Sequence, residues 1–588
     1  MLRKVLIANR GEIAIRILRA CQEMGIATVA VYAEDDRQSK HVRLADEAFL
    51  LPGSQLSETY LNIPALINIA QKSGAEGIHP GYGFLSENAG FSLACRENGI
   101  VFIGPSPEVI EAMGSKLLAR ERMMAAGVPI TPGSPKLSSL AEAQTWADKI
   151  GYPLLLKASA GGGGRGMKRV MMADELPSAY DAALRESKSY FSDDTVYLEK
   201  LVTAPRHVEV QILADTHGHV IHLGERDCSV QRRNQKLIEE TPAPHLPPDV
   251  RQKLLDAAVA GAQAIGYTGA GTFEFVVQNN TEPYFMEVNT RLQVEHPITE
   301  MVTRVDLVKE QLRIASGLPL SYLQEEIRFE GHAIECRITV EDACQNFRPV
   351  PGLIGKYEEP AGFGVRVDSM PYAGYEIPRS YDSLLAKLVT WAPTRAEALA
   401  RMQRALKEYT IEGVTTLIPF FQWALDVPAF AEGHYDTGFV GKYFEPSHLA
   451  TAPAPSREES APQHREVIDV EVNGRYFQVA LYLPEGALRP GTGANAAAAH
   501  APKGPGTGKG NRKDSSSQSQ VPAPMAGTVV KVAVEAGQSV ESGQLLCIIE
   551  SMKMENDLLS PRSGKLKTVP IRAGEKVQAG AVLVEFEA

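Results

Sequence analysis

Cysteine is scarce in this chain, with six in 588 residues. They stand at Cys21, Cys95, Cys228, Cys336, Cys344 and Cys547, and no two form a Cys-x-x-Cys pair. That spacing argues against a zinc ribbon or a disulfide framework and fits reduced thiols in a cytoplasm. Positive charge is not in excess: 60 Lys and Arg face 71 Asp and Glu, for a net charge of −11. A nucleic-acid binder would carry a basic face, so no nucleic-acid partner is expected. No apolar run approaches membrane-spanning length, and the first residues enter a strand-like segment, Val5–Ala8, with no signal peptide visible. The expectation is a cytoplasmic protein with no membrane partner. Two phosphate-binding signatures are also missing. Asn9-Arg10-Gly11-Glu12 lacks Gly-x-Gly-x-x-Gly, and the glycine-rich run further on lacks the Gly-Lys-Ser/Thr of a P-loop. Between Pro484 and Pro522 large apolar side chains all but vanish. Such a stretch cannot bury a core and reads as a flexible tether of about 35 residues, with an r.m.s. reach of roughly 30–35 Å.

What is present divides the chain. In residues 1–115 short apolar runs alternate with helical periods: Lys4–Ala8 reads as a strand, Glu12–Met24 as a helix and Ala27–Tyr32 as a strand. This punctuation implies a parallel α/β sheet. Residues 116–329 mix hairpins and helices around a glycine-rich loop, and residues 330–446 read as a further α+β unit. Residues 447–520 form a linker holding one hairpin signal, Val467–Val472 and Tyr476–Leu483 around Asn473-Gly474. Residues 521–588 read as a small all-β domain.

That last domain is an internal repeat. A shift of 37 positions lays Pro524 on Pro561, Gly527 on Gly564, Gly537 on Gly574, Gly543 on Gly580 and Leu546 on Leu583. Two copies of one β-unit therefore flank a short connection that carries Lys553, between Met552 and Met554. A lysine placed by symmetry on a protruding turn is more than solvated charge. The run Glu550-Ser-Met-Lys-Met-Glu-Asn556 resembles the biotinyl-lysine site of biotin carboxyl carrier domains, with Ser551 where most carriers have Ala.

Two clusters in the larger part carry chemistry. The strand-like Leu154–Lys157 runs into Gly161, Gly162, Gly163, Gly164, Arg165 and Gly166. Glycines let backbone N–H groups approach phosphate closely, and Lys157, Arg165 and Lys168 flank the run as they would flank a phosphate lid. The second cluster is a hairpin, Thr272–Val276 and Tyr284–Asn289 about a turn near Asn280-Thr281, which sets Glu274 opposite Glu287. Facing carboxylates repel, and a divalent cation relieves the repulsion. If the second strand continues, period two puts Glu287, Asn289, Arg291, Gln293 and Glu295 on one face.

The run Glu287-Val-Asn-Thr-Arg-Leu-Gln-Val-Glu-His296 is similar to the signature of biotin carboxylases in the ATP-grasp superfamily. The similarity extends over residues 1–446. It takes in Ala8–Ala14, His79–Asn88, Pro205–Glu209, Glu225–Ser229, Gln231–Lys236 and Glu335-Cys-Arg337. The resemblance implies an α/β pre-ATP-grasp domain, an α+β ATP-grasp domain with its lid within 131–204, an α+β C-terminal domain, and a lipoyl-like biotinyl domain. It implies that Lys116, Lys157 and the 161–166 loop hold ATP phosphates. Glu199, Lys200, His207, Gln231 and Asn234 (His in some relatives) would surround the adenine and ribose. Glu274, Glu287 and Asn289 would serve Mg²⁺ or Mn²⁺. Lys236, Arg291, Gln293 and Val294 would position bicarbonate, with Glu295 as general base, Arg337 on the biotin ureido oxygen and Tyr82 near the biotin pocket.

The implied reaction phosphorylates bicarbonate with ATP and passes the resulting CO₂ to biotin on Lys553. The 74 residues between Pro446 and Val521 hold no carboxyltransferase. The expected partners are therefore a biotin protein ligase, a second copy of the carboxylase domain, and a separate carboxyltransferase β-subunit serving acetyl- or propionyl-CoA. Two other readings stay open: another acceptor such as pyruvate, and a non-catalytic biotin carrier.

Overall fold

In the computed structural model the described residues are 1–158, 167–191, 195–449, 463–472, 475–484, 520–523, 527–551, 554–578 and 580–587. Gly161–Gly164, Gly166 and Lys553, together with most of the expected tether, lie outside them. The chain forms two compact units, Met1–Pro446 and Ser447–Ala588.

The first unit opens with a five-stranded parallel sheet. β1 (Lys4–Ile7), α1 (Gly11–Glu23), β2 (Ala27–Tyr32), β3 (Glu47–Leu50), β4 (Gly77–His79) and β5 (Val101–Phe102) give the order β3-β2-β1-β4-β5. Val5, Leu6 and Ile7 are all fully buried, because a parallel strand covered on both faces needs a continuous apolar run rather than alternation. Both expected strands and the intervening helix form within a residue of their predicted ends.

α2 (Lys116–Ala125) leads to a three-stranded antiparallel sheet in which β6 (Leu154–Ala158) lies between β7 (Met167–Val170) and β8 (Val196–Lys200). Leu154, Leu156, Val170, Val196 and Leu198 fill its core.

One eight-stranded sheet then spans the rest of the unit. Its strands are β9 (Arg206–Ala214), β10 (Val220–Arg232), β11 (Gln235–Thr241), β12 (Gly269–Gln278), β13 (Glu282–Asn289), β14 (His332–Thr339), β15 (Val365–Ser369) and β16 (Leu384–Ala392). The order is β13-β12-β9-β10-β11-β14-β16-β15. The sheet thus runs unbroken across residue 330, because β11 pairs with β14. Helix α3 (His296–Thr303) packs over its middle strands.

In the second unit, Gln463–Val472 pairs antiparallel with Arg475–Pro484, Val472 opposite Arg475. The C-terminal part is a pair of four-stranded sheets. One has the order Gln520–Pro522, Val582–Phe586, Gly564–Thr568, Ser539–Val540; the other, Met554–Leu559, Leu545–Ser551, Gly527–Val532, Lys576–Val577. Shifting by 37 residues converts one order into the other. The symmetry extends to single hydrogen bonds: Gly537 N–H donates to the Leu566 carbonyl and Gly574 N–H to that of Val529, each at 2.7 Å. Gly537 and Gly574 have φ of +86° and +87°, a region open to glycine at little cost. Ser551 and Met554, which flank Lys553 in the sequence, pair with each other across adjacent strands.

Candidate active site

A row of charge crosses the eight-stranded sheet. Strand register sets Glu287 (β13) opposite Glu274 (β12), Glu274 opposite Glu209 (β9), and Glu209 opposite Arg226 (β10). The hairpin expected from the sequence is therefore formed, with Asn279 and Asn280 in the left-handed region at its turn. Three carboxylates in adjacent strands, Glu209 and Glu274 buried and Glu287 half-buried, require cations, and two are supplied. The Arg226 guanidinium, fully buried, donates to Glu209 at 2.6 Å and to Gln211 at 2.8 Å. The Lys236 ammonium, on β11, donates to Glu209 at 2.5 Å, Glu274 at 2.9 Å and Glu295 at 2.6 Å. Burial alone would lower the Lys236 pKa, but the three carboxylates outweigh it and hold the amine firmly protonated.

Glu295 is not on a continued strand. β13 ends at Asn289, and Glu295 takes the position just before α3, with Pro297 in that helix's first turn. Proline there fits a helix start and not a central strand, so the expected single face of five alternating polar residues stops after two. The segment 290–295 instead bends into the site. Glu295 is fully buried and clasped on both oxygens, by Lys236 on one and by Arg337 (β14) at 2.9 Å on the other. Burial works to raise its pKa, yet Lys236, Arg337 and Arg226 together hold it well below the usual carboxylate range. Arg337 also donates to Glu239 at 2.5 Å.

The same bend gathers the other expected groups. The Gln293 amide donates to Glu274 at 2.9 Å and that of Asn289 at 2.8 Å. Arg291 donates to the Asn289 side-chain oxygen at 3.0 Å and to Glu87 at 2.9 Å. The Val294 carbonyl accepts from Lys387 at 3.2 Å. Lys387 also pairs with Glu12 at 3.1 Å and lies 5.8 Å from the Tyr82 ring centroid; Tyr82 in turn donates to Glu12.

The remaining groups are spread over β6, β8, β9, the β10–β11 hairpin and α2. Lys157 donates to Glu199 at 2.7 Å, and Arg120 bonds the other oxygen at 3.2 Å. Lys200 is turned to the carbonyls of Gly151 and Tyr152. His207 stands 3.1 Å from Glu274, on the carboxylate row. Gln231 faces Lys236 across the β10–β11 ladder, whose two-residue turn is Arg233-Asn234, both with positive φ as a type I′ turn requires. Lys116 opens α2, where burial lowers its pKa against the opposing charge of Glu287.

The donor set suits a divalent cation. Burial, and next to it the charge of Glu274, raise the pKa of Glu287. A cation held by Glu274, Glu287 and Asn289 would relieve that repulsion. Glu209, Arg226, Glu87, Arg120 and Lys387 belong to the site without having been singled out from the sequence. All but Arg120 and Lys387 lay inside the quoted motifs.

Family comparisons agree with this geometry. Residues 1–110 match the family described as "Biotin carboxylase, N-terminal domain", 115–323 "Carbamoyl-phosphate synthase L chain, ATP binding domain", 335–442 "Biotin carboxylase C-terminal domain" and 519–586 "Biotin-requiring enzyme". Biotin carboxylase 1 of Bacillus subtilis is 52% identical over 445 residues, 75% of this chain and 99% of its own. A pyruvate carboxylase subunit from Methanothermobacter thermautotrophicus is 51% identical over 444 residues, 75% of this chain and 90% of its own. Among solved structures, the biotin carboxylase domain dimer of Hydrogenobacter thermophilus 2-oxoglutarate carboxylase, with MgADP, ADP and bicarbonate, has a TM-score of 0.74 at 49% identity. The match covers 77% of this chain and all of that one. The fold and site define an ATP-grasp ligase. Within that class the chain belongs to the biotin carboxylase family, with a biotinyl domain fused to it, and its reaction is the ATP- and bicarbonate-dependent carboxylation of biotin.

Proposed function

We propose that the chain carboxylates biotin held on its own Lys553, as the first half-reaction of an acyl-CoA carboxylase of the acetyl-/propionyl-CoA type, and that a separate carboxyltransferase β-subunit completes the turnover. The observation that carries the site assignment is Glu295 clasped between Lys236 and Arg337. Glu295 is the general base for bicarbonate. Each cation that turns from Glu295 to a substrate oxygen releases it, and its affinity for a proton rises. Arg291 and Gln293, beside the Val294 backbone, hold bicarbonate; Arg337 meets the biotin ureido oxygen, and Tyr82 borders the biotin pocket. Lys116, Lys157 and the 161–166 glycines hold ATP phosphates, with Glu199, Lys200, His207, Gln231 and Asn234 toward the nucleoside. Glu274, Glu287 and Asn289 would hold Mg²⁺, which when bound would supply neutralisation of phosphate charge. A biotin protein ligase modifies Lys553. The carboxylase unit pairs with a second copy, as the Hydrogenobacter thermophilus domain does in its dimer.

The test is bicarbonate-dependent ATP cleavage with free biotin and Mg²⁺. Glu295→Gln should lower it by about 10²–10⁴-fold, the range for loss of a positioned acid or base. A wild type without this activity overturns the reading. A 2-oxo acid acceptor is the second reading, favoured by relatives named as pyruvate and 2-oxoglutarate carboxylases. Pull-down on biotin, followed by assay of the complex with acetyl-CoA, propionyl-CoA, pyruvate and 2-oxoglutarate, separates the two.

A further inference from the structure

Glu335 lies on β14, two residues before Arg337 and therefore on the same face of the sheet. It is fully buried and stands directly opposite Glu239 of β11. One oxygen of Glu239 accepts from Arg337. Its other oxygen and both oxygens of Glu335 are buried without a hydrogen-bond partner. Like charges directly opposed in a ladder destabilise it, and buried acceptors without donors are costly. One proton answers both problems, because a carboxylic acid on Glu335 donates to the open oxygen of Glu239. The charged groups facing Glu335 are Glu239 from β11, Lys387 from β16, Glu295 at the start of α3, and Arg337 on its own strand; Lys236 adds to those facing Glu239. Lys387 is already engaged by Glu12 and the Val294 carbonyl.

We propose that Glu335 and Glu239 share one proton, and that Glu335 is thereby a positioning residue for Arg337 in biotin carboxylation. This role rests on the reading of Arg337 given above. With the proton in place the pair carries one negative charge, and Arg337 is divided between Glu239 and Glu295. Without it the pair carries two, and the guanidinium is drawn toward β11 and away from Glu295. Burial, then the charge of Glu239, raise Glu335 well above the usual carboxylate range, so the loss falls on the alkaline side of the activity profile.

The experiment measures kcat and KM for free biotin across pH in wild type, Glu335→Gln and Glu335→Leu. Gln keeps a donor and cannot ionise. Its KM for biotin should stay within about twofold of wild type near neutrality, and the alkaline fall in kcat/KM should shift upward or vanish. Leu keeps bulk without a donor, and should raise the KM for biotin about tenfold while leaving the KM for ATP unchanged. A wild-type alkaline limb in Glu335→Gln, or a wild-type biotin KM in Glu335→Leu, overturns the proposal. Should the Leu variant not fold, the Gln profile decides alone. Infrared difference spectra of wild type against Glu335→Gln read the proton without activity: a lost protonated-carboxyl band supports the pair, and an unchanged one overturns it. A wild type that cleaves no ATP with bicarbonate would remove the functional reading, while the infrared band would still decide the shared proton.

Discussion

At the scale of single residues, the site is a set of carboxylates that cannot stay buried without Lys236. Its ammonium touches Glu209, Glu274 and Glu295 at once. Lys236→Met keeps the stem and removes the charge, and removing one partner of a buried ion pair costs about 3–5 kcal/mol. Urea unfolding should show that loss, and ATP cleavage with bicarbonate should fall with it. Glu209→Gln in the same chain should return part of the stability and none of the activity. Sequence alone reached Lys236 and Glu295 through a family resemblance, and Glu274 with Glu287 through hairpin spacing. It gave no role to Glu209 or Arg226. Their meaning is set by β9 lying between β12 and β10, a pairing between segments that local periodicity does not encode.

At the scale of elements, β11 divides two environments. Successive side chains on a strand point to opposite faces, so Glu239 and Glu240 meet different surroundings. Glu239 faces the site, where burial raises its pKa to about 7 against the pull of Arg337. Glu240 faces away, where hydrogen bonds from His332 and Arg395 outweigh burial and bring it down to about 2. A carboxyl depressed on folding contributes stability above its unfolded pKa and loses it as pH falls toward the folded one. Between the ordinary value of 4.5 and about 2, that amounts to on the order of 3 kcal/mol. Urea midpoints should therefore fall between pH 5 and pH 3 in wild type. Glu240→Gln should be less stable at pH 7 and lose less over that interval. The sequence made β1, α1, β2 and the β12–β13 hairpin legible, because apolar runs and turn residues mark them locally. It misread the path from Asn289 to Glu295. Alternating polar residues continue there, but Pro297 and the helix it opens bend the chain, and the site depends on that bend.

At the scale of the molecule, the 37-residue symmetry of the C-terminal domain and the charged row in the first unit are separate devices on one chain, and Lys553 is where their chemistry should meet. Two assays distinguish them. With free biotin, wild type and Lys553→Ala should cleave ATP at equal rates, since every residue proposed to hold ATP, bicarbonate and free biotin lies in the first unit. With labelled bicarbonate and no free biotin, only the biotinylated wild type should become labelled, and the mass of Lys553→Ala should lack biotin. Label entering Lys553→Ala would move the attachment to another residue. The order of labelling in protein concentration then locates the loading event. A first-order rate, unchanged on dilution, is expected if the site loads a lysine of its own chain or of the copy paired with it, because a tethered partner is held at a fixed effective concentration. A rate that rises in proportion to concentration would assign loading to a separate, unpaired molecule. Discharge of the labelled chain completes the argument. It should be negligible with acyl-CoA alone and rapid once the β-subunit is added, and discharge by pyruvate or 2-oxoglutarate would transfer the second half-reaction to 2-oxo acid chemistry.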